Sequence, residues 1–209
     1  MSRLHLFDLD GTLIHNSAAA IEISRHLGTE RETAELERDF AARLLTPAEF
    51  AAKACALWGE RLTEAVLAAT FEAAPWLEGI KEVWARIAER GERIAVISLS
   101  PHFFVERLLD WGAHTAHGSR WPELPLRGPI DPAGILNARA KVRITDELCA
   151  RYGLGRADCV AYGDSMSDAA LFAAVPVSVA VNADHHVRDL ATHCYNGRDL
   201  REAYALTAS

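Results

Sequence analysis

Four short aliphatic segments, each bounded by a turn or helix signal, most constrain what this chain can fold into. They span residues 4–9, 94–98, 160–162 and 177–181. Helix-like patterns alternate with them, at 79–90, 102–111, 140–152 and 167–174. Such alternation predicts a parallel sheet whose two faces are both covered by helices. We therefore expect an α/β fold with a doubly wound, Rossmann-like parallel sheet as its core.

The one long interruption of this alternation is residues 15–74, rich in Ala, Glu, Leu and Arg and without a strand signal. It follows the first strand directly, and the α/β pattern resumes near Pro75. We therefore expect a small all-helical cap domain at 15–74, inserted into an α/β core domain formed by 1–14 and 75–209. Residues 115–131 show no clear period and are compatible with a short hairpin or an irregular loop.

Composition narrows the class of function. Acidic residues outnumber Lys and Arg by 29 to 22, for a net charge of -7, and no basic stripe is present, so nucleic acid is not an expected partner. The first apolar segment is too brief for a signal peptide or membrane span, which predicts a cytoplasmic protein without a membrane partner. The four cysteines form no Cys-x-x-Cys pair, which argues against a zinc site or disulfide framework. A homodimer is compatible with the sequence.

Two carboxylates stand at the end of the first predicted strand, at Asp8 and Asp10, followed by Gly11. A spacing of two lets both side chains project to the same side of an extended backbone. Ligands of open α/β sheets bind outside the carboxyl ends of the strands, so this pair favours a functional site. The alternative is an ordinary Asp-Gly turn with solvated acids.

A second carboxylate pair follows the strand at 160–162, where Gly163 and Asp164 are followed by Asp168. Carboxylate oxygens suit Mg²⁺, a hard cation. The alternative is that Asp164 or Ser165 caps a helix and Asp168 is a solvated residue of its first turn.

Three further polar residues have both a functional and a structural interpretation. Ser98, at the end of a predicted strand, could donate a hydrogen bond to a phosphate oxygen or could be purely structural. Ser100 precedes Pro101 and is interpreted as a helix cap. Lys141 could neutralise phosphate charge, although a lysine in isolation is more often on a solvated helix face.

Taken together, Asp8-Leu9-Asp10-Gly11-Thr12, Ser98, Lys141, and Gly163-Asp164 with Asp168 resemble, in order and spacing, the four motifs of the haloacid dehalogenase superfamily. The resemblance covers nearly the whole chain. The helical segment after the first motif is similar to the cap of the phosphoserine-phosphatase-like branch of that superfamily.

The resemblance implies a role for each motif residue. Asp8 would be the nucleophile that forms an aspartyl phosphate, and Asp10 the general acid and base. Mg²⁺ would be held by Asp8, the backbone carbonyl of Asp10, and Asp164, with Asp168 in or just behind this ligand set. The phosphate-binding residues would be Gly11, Thr12, Ser98 and Lys141.

The substrate-recognition residues depart from the branch it resembles. Ser17 stands where phosphoserine-specific relatives carry Glu, and residues 45–58 contain no arginine, only Lys53 as a candidate cation. Candidates for the altered pocket are Ser17, Phe50, Lys53, Trp58, His102 and Phe103, although aromatics at helical spacing more often belong to the core. His185 and His186 are expected at the surface.

We therefore predict a Mg²⁺-dependent phosphomonoester hydrolase acting on a small phosphorylated metabolite. Halide removal is disfavoured because it has no need of Asp10. A phosphomutase or phosphotransferase of the same fold remains open. A non-catalytic phosphometabolite sensor is the alternative of another class.

Overall fold

A six-stranded parallel sheet forms the centre of the computed structural model, which describes residues 2–207. The strands are β1 (Leu4–Phe7), β2 (Asp10–Gly11), β3 (Ile14–His15), β4 (Arg93–Pro101), β5 (Thr115–Ser119), β6 (Cys159–Gly163), β7 (Val177–Val181) and β8 (His193–Tyr195). The sheet order is β5-β4-β1-β6-β7-β8, and β2 and β3 form a separate two-residue pairing. Because β1 lies between β4 and β6, the carboxyl ends of these three strands meet at one edge.

The helices flank and extend this sheet. They are α1 (Ala19–Leu27), α2 (Glu30–Ala41), α3 (Pro47–Trp58), α4 (Glu64–Ala73), α5 (Ile80–Glu89), α6 (His102–Val105), α7 (Ala138–Tyr152), α8 (Ala169–Phe172), α9 (His185–Arg188) and α10 (Leu200–Ala205). Short 3₁₀ turns lie at Gly59–Arg61, Glu106–Trp111, Pro132–Gly134 and Arg156–Asp158. None of the helices in the described part of the chain has the length and apolarity needed to cross a membrane.

Alternate residues of β1 enter two different hydrophobic clusters. Leu4 and Leu6 pack with residues of α7 and α8, whereas Phe7 packs with residues of α5 and α10. All four residues of β1 are buried, as expected for a central strand covered on both faces. The predicted α/β, doubly wound class is confirmed.

The sheet is wider than the sequence predicts. The four expected strands are present, but β5 and β8 add two parallel edge strands that carried no clear aliphatic signal. β5 occupies the start of the segment 115–131, so the hairpin considered for that segment is absent, and an irregular loop follows β5 instead. The helix expected at 102–111 splits into α6 and a 3₁₀ turn.

The long segment between β3 and α5 contains four helices and no strand. Its two ends run side by side: the His15 amide donates to the Pro75 carbonyl (2.8 Å), and the Leu77 amide to the Leu13 carbonyl (2.8 Å). Buried residues of this segment, such as Ile23 and Trp58, belong to the same hydrophobic cluster as Phe7. The helices α1 to α4 therefore leave and rejoin the sheet at one point, close to the end of β1.

Candidate active site

Asp8 lies directly beyond the last residue of β1, between the ends of β4 and β6. Its amide donates to the Tyr162 carbonyl (2.9 Å), which extends the pairing with β6 by one residue. The side chain is only 6% exposed. Because β1 is a central strand, the Asp8 carboxylate lies at the middle of the edge formed by the carboxyl ends of the strands.

Lys141 is the cation at the centre of this site. Its Nζ lies 2.8 Å from Asp8 Oδ1 and 2.6 Å from Asp168 Oδ1, and all three side chains are buried. The solvated position that suits most lysines is therefore not the one that Lys141 adopts. Burial by itself lowers the pKa of Lys141, but the charges of Asp168 and Asp8 outweigh it and raise the pKa above its ordinary value.

Asp168 also shapes the loop that follows β6. Its Oδ2 accepts hydrogen bonds from the amides of Asp164 (3.2 Å) and Ser165 (3.3 Å). One carboxylate oxygen each of Asp8, Asp164 and Asp168 lies within 4.8 Å of the others. Three carboxylates around one lysine leave an excess of negative charge, and an oxygen-only donor set fits a hard divalent cation.

Two glycines let carboxylates of the site approach the backbone closely. Gly11 has a φ of +71°, and a Cβ placed on it would overlap the carboxylate of Asp164. A Cβ on Gly163 would overlap the carboxylate of Asp168. The close approach of backbone to carboxylate therefore requires glycine at both positions.

Asp10 directs its side chain to other partners. Its Oδ1 accepts from the Ala19 amide at the start of α1 (2.7 Å), and its Oδ2 accepts from the Ser100 hydroxyl (2.6 Å) and, at 3.4 Å, from the Ser98 hydroxyl. The side chain is not among the three that form the carboxylate cluster. The two acids at the end of β1 thus have separate environments.

Both acids favour the protonated form more than an exposed aspartate does. Burial raises the pKa of Asp8 to about 7, with a further rise from Asp168 and an opposing effect of Lys141. Burial also raises the pKa of Asp10, and the hydrogen bond from Ser100 opposes that rise. Burial and the charge of Asp8 raise the pKa of Asp164 well above its usual range.

The interpretation of Ser100 as a helix cap is wrong. α6 begins after Pro101 and has no side-chain cap, while the Ser100 hydroxyl donates to Asp10. Ser98 is fully buried, and its Oγ accepts from the Ser100 amide (3.1 Å). The spacing of two between these serines within a strand was the signal that both face the same side.

Thr12 contributes a buried hydroxyl beside the first carboxylate pair. Its side chain is fully buried, and its Oγ1 has no hydrogen-bond partner among residues 2–207. A buried hydroxyl without a partner is costly, so this atom is available to an additional acceptor.

The candidate substrate residues differ in their surroundings, and three of them, Trp58, His102 and Phe103, meet around Trp121. The Ser17 hydroxyl donates to Glu22, Phe50 is half-buried against Phe40, and Lys53 is exposed on α3. Trp58 is buried in the core, and Phe103 packs edge-on against Trp121. The Nδ1 of His102 accepts from the Trp121 amide (3.3 Å). His185 and His186 are exposed on α9.

Glu37 is a residue that sequence reasoning missed. It lies on α2 one turn beyond Thr33, which is fully buried. Burial, and then the charge of Asp10, raise the pKa of Glu37 to about 7. Its side chain is half-buried and has no ion-pair or hydrogen-bond partner within the described chain. An isolated Glu in a charged helix carries no sequence signal for such a position.

Comparisons with known proteins agree on one family. A profile described as haloacid dehalogenase-like hydrolase matches residues 5–173. The phosphoserine phosphatase of Methanocaldococcus jannaschii is 28% identical over 203 residues, covering 96% of this chain and 95% of that protein. A solved phosphoserine phosphatase described as a phospho-aspartyl intermediate analogue superposes with a TM-score of 0.83 at 25% identity, covering 98% of each chain. A substrate-bound phosphoserine phosphatase has a TM-score of 0.84 at 24% identity, covering 99% of this chain and 98% of that one.

Proposed function

The chain belongs to the haloacid dehalogenase-like hydrolase family, and on that premise we propose that it is a Mg²⁺-dependent phosphatase of small phosphate esters. The observation that carries the proposal is the buried contact of Lys141 with both Asp8 and Asp168, beside Asp164. A phosphoryl group needs a nucleophile and positive charge in one place. Asp8 and Lys141 would supply the nucleophile and one positive charge, and a divalent cation held by the carboxylates would add the rest. Two relatives, each 28% identical to this chain, are phosphoserine phosphatases, and the match covers 95% of one and 55% of the other.

In the proposed reaction, Asp8 is the nucleophile. Its carboxylate attacks phosphorus, the bond from phosphorus to the ester oxygen breaks, and an aspartyl phosphate forms on Asp8. Water then attacks that phosphorus, which releases phosphate and restores the carboxylate. Lys141, 2.8 Å from the Asp8 carboxylate, opposes the rise in the pKa of Asp8 that burial causes, and so favours the ionised nucleophile.

Asp10 is the proposed acid and base. When protonated it gives its proton to the leaving alkoxide, and when ionised it takes a proton from the attacking water. The Ala19 amide and the Ser100 hydroxyl hold its carboxyl group in one orientation. A raised pKa suits this double role, because the protonated form is then more accessible than in an exposed aspartate.

The metal site of the proposal consists of Asp8, Asp164 and the backbone carbonyl of Asp10, with Asp168 behind them. The close carboxylate oxygens, and the close approach of Asp164 to Gly11 and of Asp168 to Gly163, support this assignment. When bound, Mg²⁺ would neutralise charge on the phosphoryl oxygens and on the carboxylates.

Phosphate binding is assigned to Lys141, Ser98, Gly11 and Thr12. Lys141 is the cation next to the nucleophile, and the Ser98 hydroxyl lies at the same sheet edge. The unpartnered Thr12 hydroxyl supports its inclusion, since a phosphate oxygen would be an acceptor for it. The Gly11 amide donates to the Ser17 carbonyl (2.8 Å), so this amide contributes only if that bond opens.

We further propose that residues 15–74 act as a cap domain over the core formed by 1–14 and 75–209. The adjacent ends of this segment and the contact of Ala19 with Asp10 support the boundary and the position of the cap. The helices would enclose the leaving group and exclude water from the first step.

The substrate is proposed to differ from phosphoserine in how its leaving group is held. Lys53 is exposed, while Glu22 is paired with Arg25 and Ser17. Glu37 is the carboxyl on α2 whose charge environment includes Asp10. A leaving group with an amine or hydroxyl suits Glu37, whereas a carboxylate would meet a like charge. Phosphorylated amino alcohols, polyols and sugars are therefore the favoured class.

The test is phosphate release from a panel of small esters, with and without Mg²⁺, for wild type and Asp8→Asn. The panel includes phosphoserine, phosphoethanolamine, glycerol phosphate and a sugar phosphate. Asp110→Asn, the same change at an exposed position, is the matched control. We expect Mg²⁺-dependent phosphate release that Asp8→Asn abolishes and Asp110→Asn preserves. Wild-type protein quenched during turnover should carry a phosphate that hydroxylamine removes, as expected for an aspartyl phosphate. Phosphate transfer to an acceptor without net release would instead support a mutase, and ester binding without turnover would support a sensor.

A further inference from the structure

Two tryptophans from distant parts of the chain stack on each other. Trp58, the last residue of α3, and Trp121, just after β5, have ring centroids 5.2 Å apart and planes inclined by 17°. Both side chains are buried, at 1% and 6% exposure. Trp121 belongs to the irregular loop of residues 120–131, which we call the strap. The stack therefore joins the helical segment to a loop of the sheet.

Trp58 connects three helices of that segment. Its indole Nε1 donates to the Ser24 hydroxyl on α1 (2.9 Å), and that hydroxyl lies 2.6 Å from the Thr33 hydroxyl on α2. A displacement of Trp58 would break this buried hydrogen-bond chain, which is costly away from water. The indole ring of Trp58 thus links α1, α2 and α3 through this hydrogen-bond chain.

The strap makes further contacts with α3 and the residues after it. Cys55 Sγ lies 3.7 Å from the Gly128 carbonyl oxygen, and Leu126 is buried in the shared cluster. An exposed ion pair joins Arg127 and Glu60 at 3.7 Å, and exposed pairs of this kind contribute little. The aromatic stack is consequently the main attachment, because it alone removes two large rings from water.

The opposite side of the strap reaches the segment that contacts Asp10. The Trp121 amide donates to Nδ1 of His102 (3.3 Å), and the Trp121 ring packs edge-on against Phe103 (6.1 Å). One residue before the strap, the Ser119 hydroxyl donates to the Leu99 carbonyl (2.7 Å). Leu99 lies between the two serines that donate to Asp10.

We infer that Trp121 is a positioning residue of this enzyme, which fastens the helical segment over the active site through Trp58 and is itself anchored at His102. The inference rests on the proposed phosphatase function and extends it to how the site is closed. His102 then supports the strap and has no need to touch substrate. Trp121 acts on turnover only through the helices it holds.

The experiment compares Trp121→Ala and Trp121→Phe with wild type on the best ester of the panel. Because the fastened helices hold the leaving group before and during reaction, Trp121→Ala should raise KM about fivefold or more while changing kcat less. Trp121→Phe retains an aromatic face and should restore most of the KM. Trp58→Ala should raise KM at least as much, because it also removes the bond to Ser24, and the double variant should raise KM by less than the product of the two single effects, because both variants remove the shared stack.

Val187→Ala is the matched control, since Val187 is fully buried in the other hydrophobic cluster, away from the strap. It should lower the melting temperature without raising KM. An unchanged KM in Trp121→Ala, or an equal rise in Val187→Ala, would overturn the inference.

A second measurement does not depend on turnover. Amide hydrogen exchange of α1, α2 and α3 should accelerate in Trp121→Ala more than in Val187→Ala. If no ester is hydrolysed, the proposed function fails, but the exchange rates still test whether Trp121 holds these helices in place. Faster exchange confined to α1, α2 and α3 supports that role, and unchanged exchange overturns it.

Discussion

The hydroxyl of Ser100 donates a hydrogen bond to Asp10 Oδ2 at 2.6 Å, shorter than the 3.4 Å contact from Ser98. Ser100 therefore makes the shorter of the two hydrogen bonds to Asp10. The register of β4 against β5 shifts between Ile97 and Pro101, which is where these serines lie. An irregular stretch of strand thus aims two hydroxyls at one acid.

Removal of this hydroxyl in Ser100→Ala is expected to lower kcat about tenfold, the usual loss for a hydrogen bond to a charged group. The Ser100 bond lowers the pKa of Asp10, so its loss raises that pKa further. The acid limb of the pH–kcat profile should move to higher pH. Among residues 2–207 the Ser167 hydroxyl bonds to Ser165 alone, and Ser167→Ala, which removes that hydroxyl, is the control. An unshifted acid limb would show that Ser100 does not set the ionisation of Asp10.

Gly11→Ala and Gly28→Ala form a matched pair, because both glycines have a φ near +70°. Each alanine should cost about 1–2 kcal/mol of unfolding free energy from backbone strain. A Cβ at Gly11 would overlap Asp164, whereas a Cβ at Gly28 would have no atom of the described chain within 4 Å other than those of adjacent residues. Gly11→Ala should therefore also abolish activity and the rise in melting temperature on adding Mg²⁺. Retention of that rise in Gly11→Ala would contradict the proposed metal site.

Lys141→Met leaves Asp8 and Asp168 buried without their cation, so we expect a loss of about 3–5 kcal/mol in unfolding free energy. The loss should grow as pH rises, because the folded-state carboxyls then ionise with no lysine beside them. Arg143→Met removes an exposed pair with Glu147 on the same helix and should cost less than about 1 kcal/mol. Denaturant unfolding at several pH values measures both, and equal losses would refute the central role of Lys141.

Glu37→Gln should change substrate preference. If Glu37 faces the leaving group, wild type prefers phosphoethanolamine to an ester with a carboxylate in its leaving group, and the variant should narrow the ratio of kcat/KM values about tenfold. Glu32→Gln is the same change at an exposed position of α2 and should leave the ratio unaltered. A ratio that is the same in Glu37→Gln and wild type would remove Glu37 from the pocket.

His5 is buried between Glu92 and Tyr162, with Nε2 2.9 Å from Glu92. Burial lowers the pKa of His5 below the ordinary value of 6.5, despite the bond to Glu92. The unfolded chain then binds the proton more readily, so stability decreases as pH falls below 6.5 toward the folded-state pKa. His5→Gln should reduce the loss of unfolding free energy between about pH 7.5 and pH 5, by about 1.4 kcal/mol for each pH unit by which the folded-state pKa of His5 lies below 6.5. His186→Gln, at an exposed histidine, should keep the wild-type slope.

The sequence predicts the fold class well because strands that are buried on both faces consist mostly of apolar residues. The central strands β1, β4, β6 and β7 are runs of aliphatic residues, so each was recognised. The edge strands β5 and β8 are only partly covered and contain His, Gly, Ser and Thr, which a loop also contains. Their place in the sheet depends on pairing with β4 and β7, which local composition does not encode.

For the site, the sequence by itself determined which carboxylates could meet, because Asp8 and Asp10, and likewise Asp164 and Asp168, are close neighbours along the chain, and parallel strands end at the same edge. Only the tertiary structure decided the rest. Lys141, Ser100, Glu37 and Trp121 come from separate elements, and each looks ordinary in its local sequence. Burial and contact with distant residues give them their charge environments and partners, and these are properties of packing, which no local pattern of residues contains.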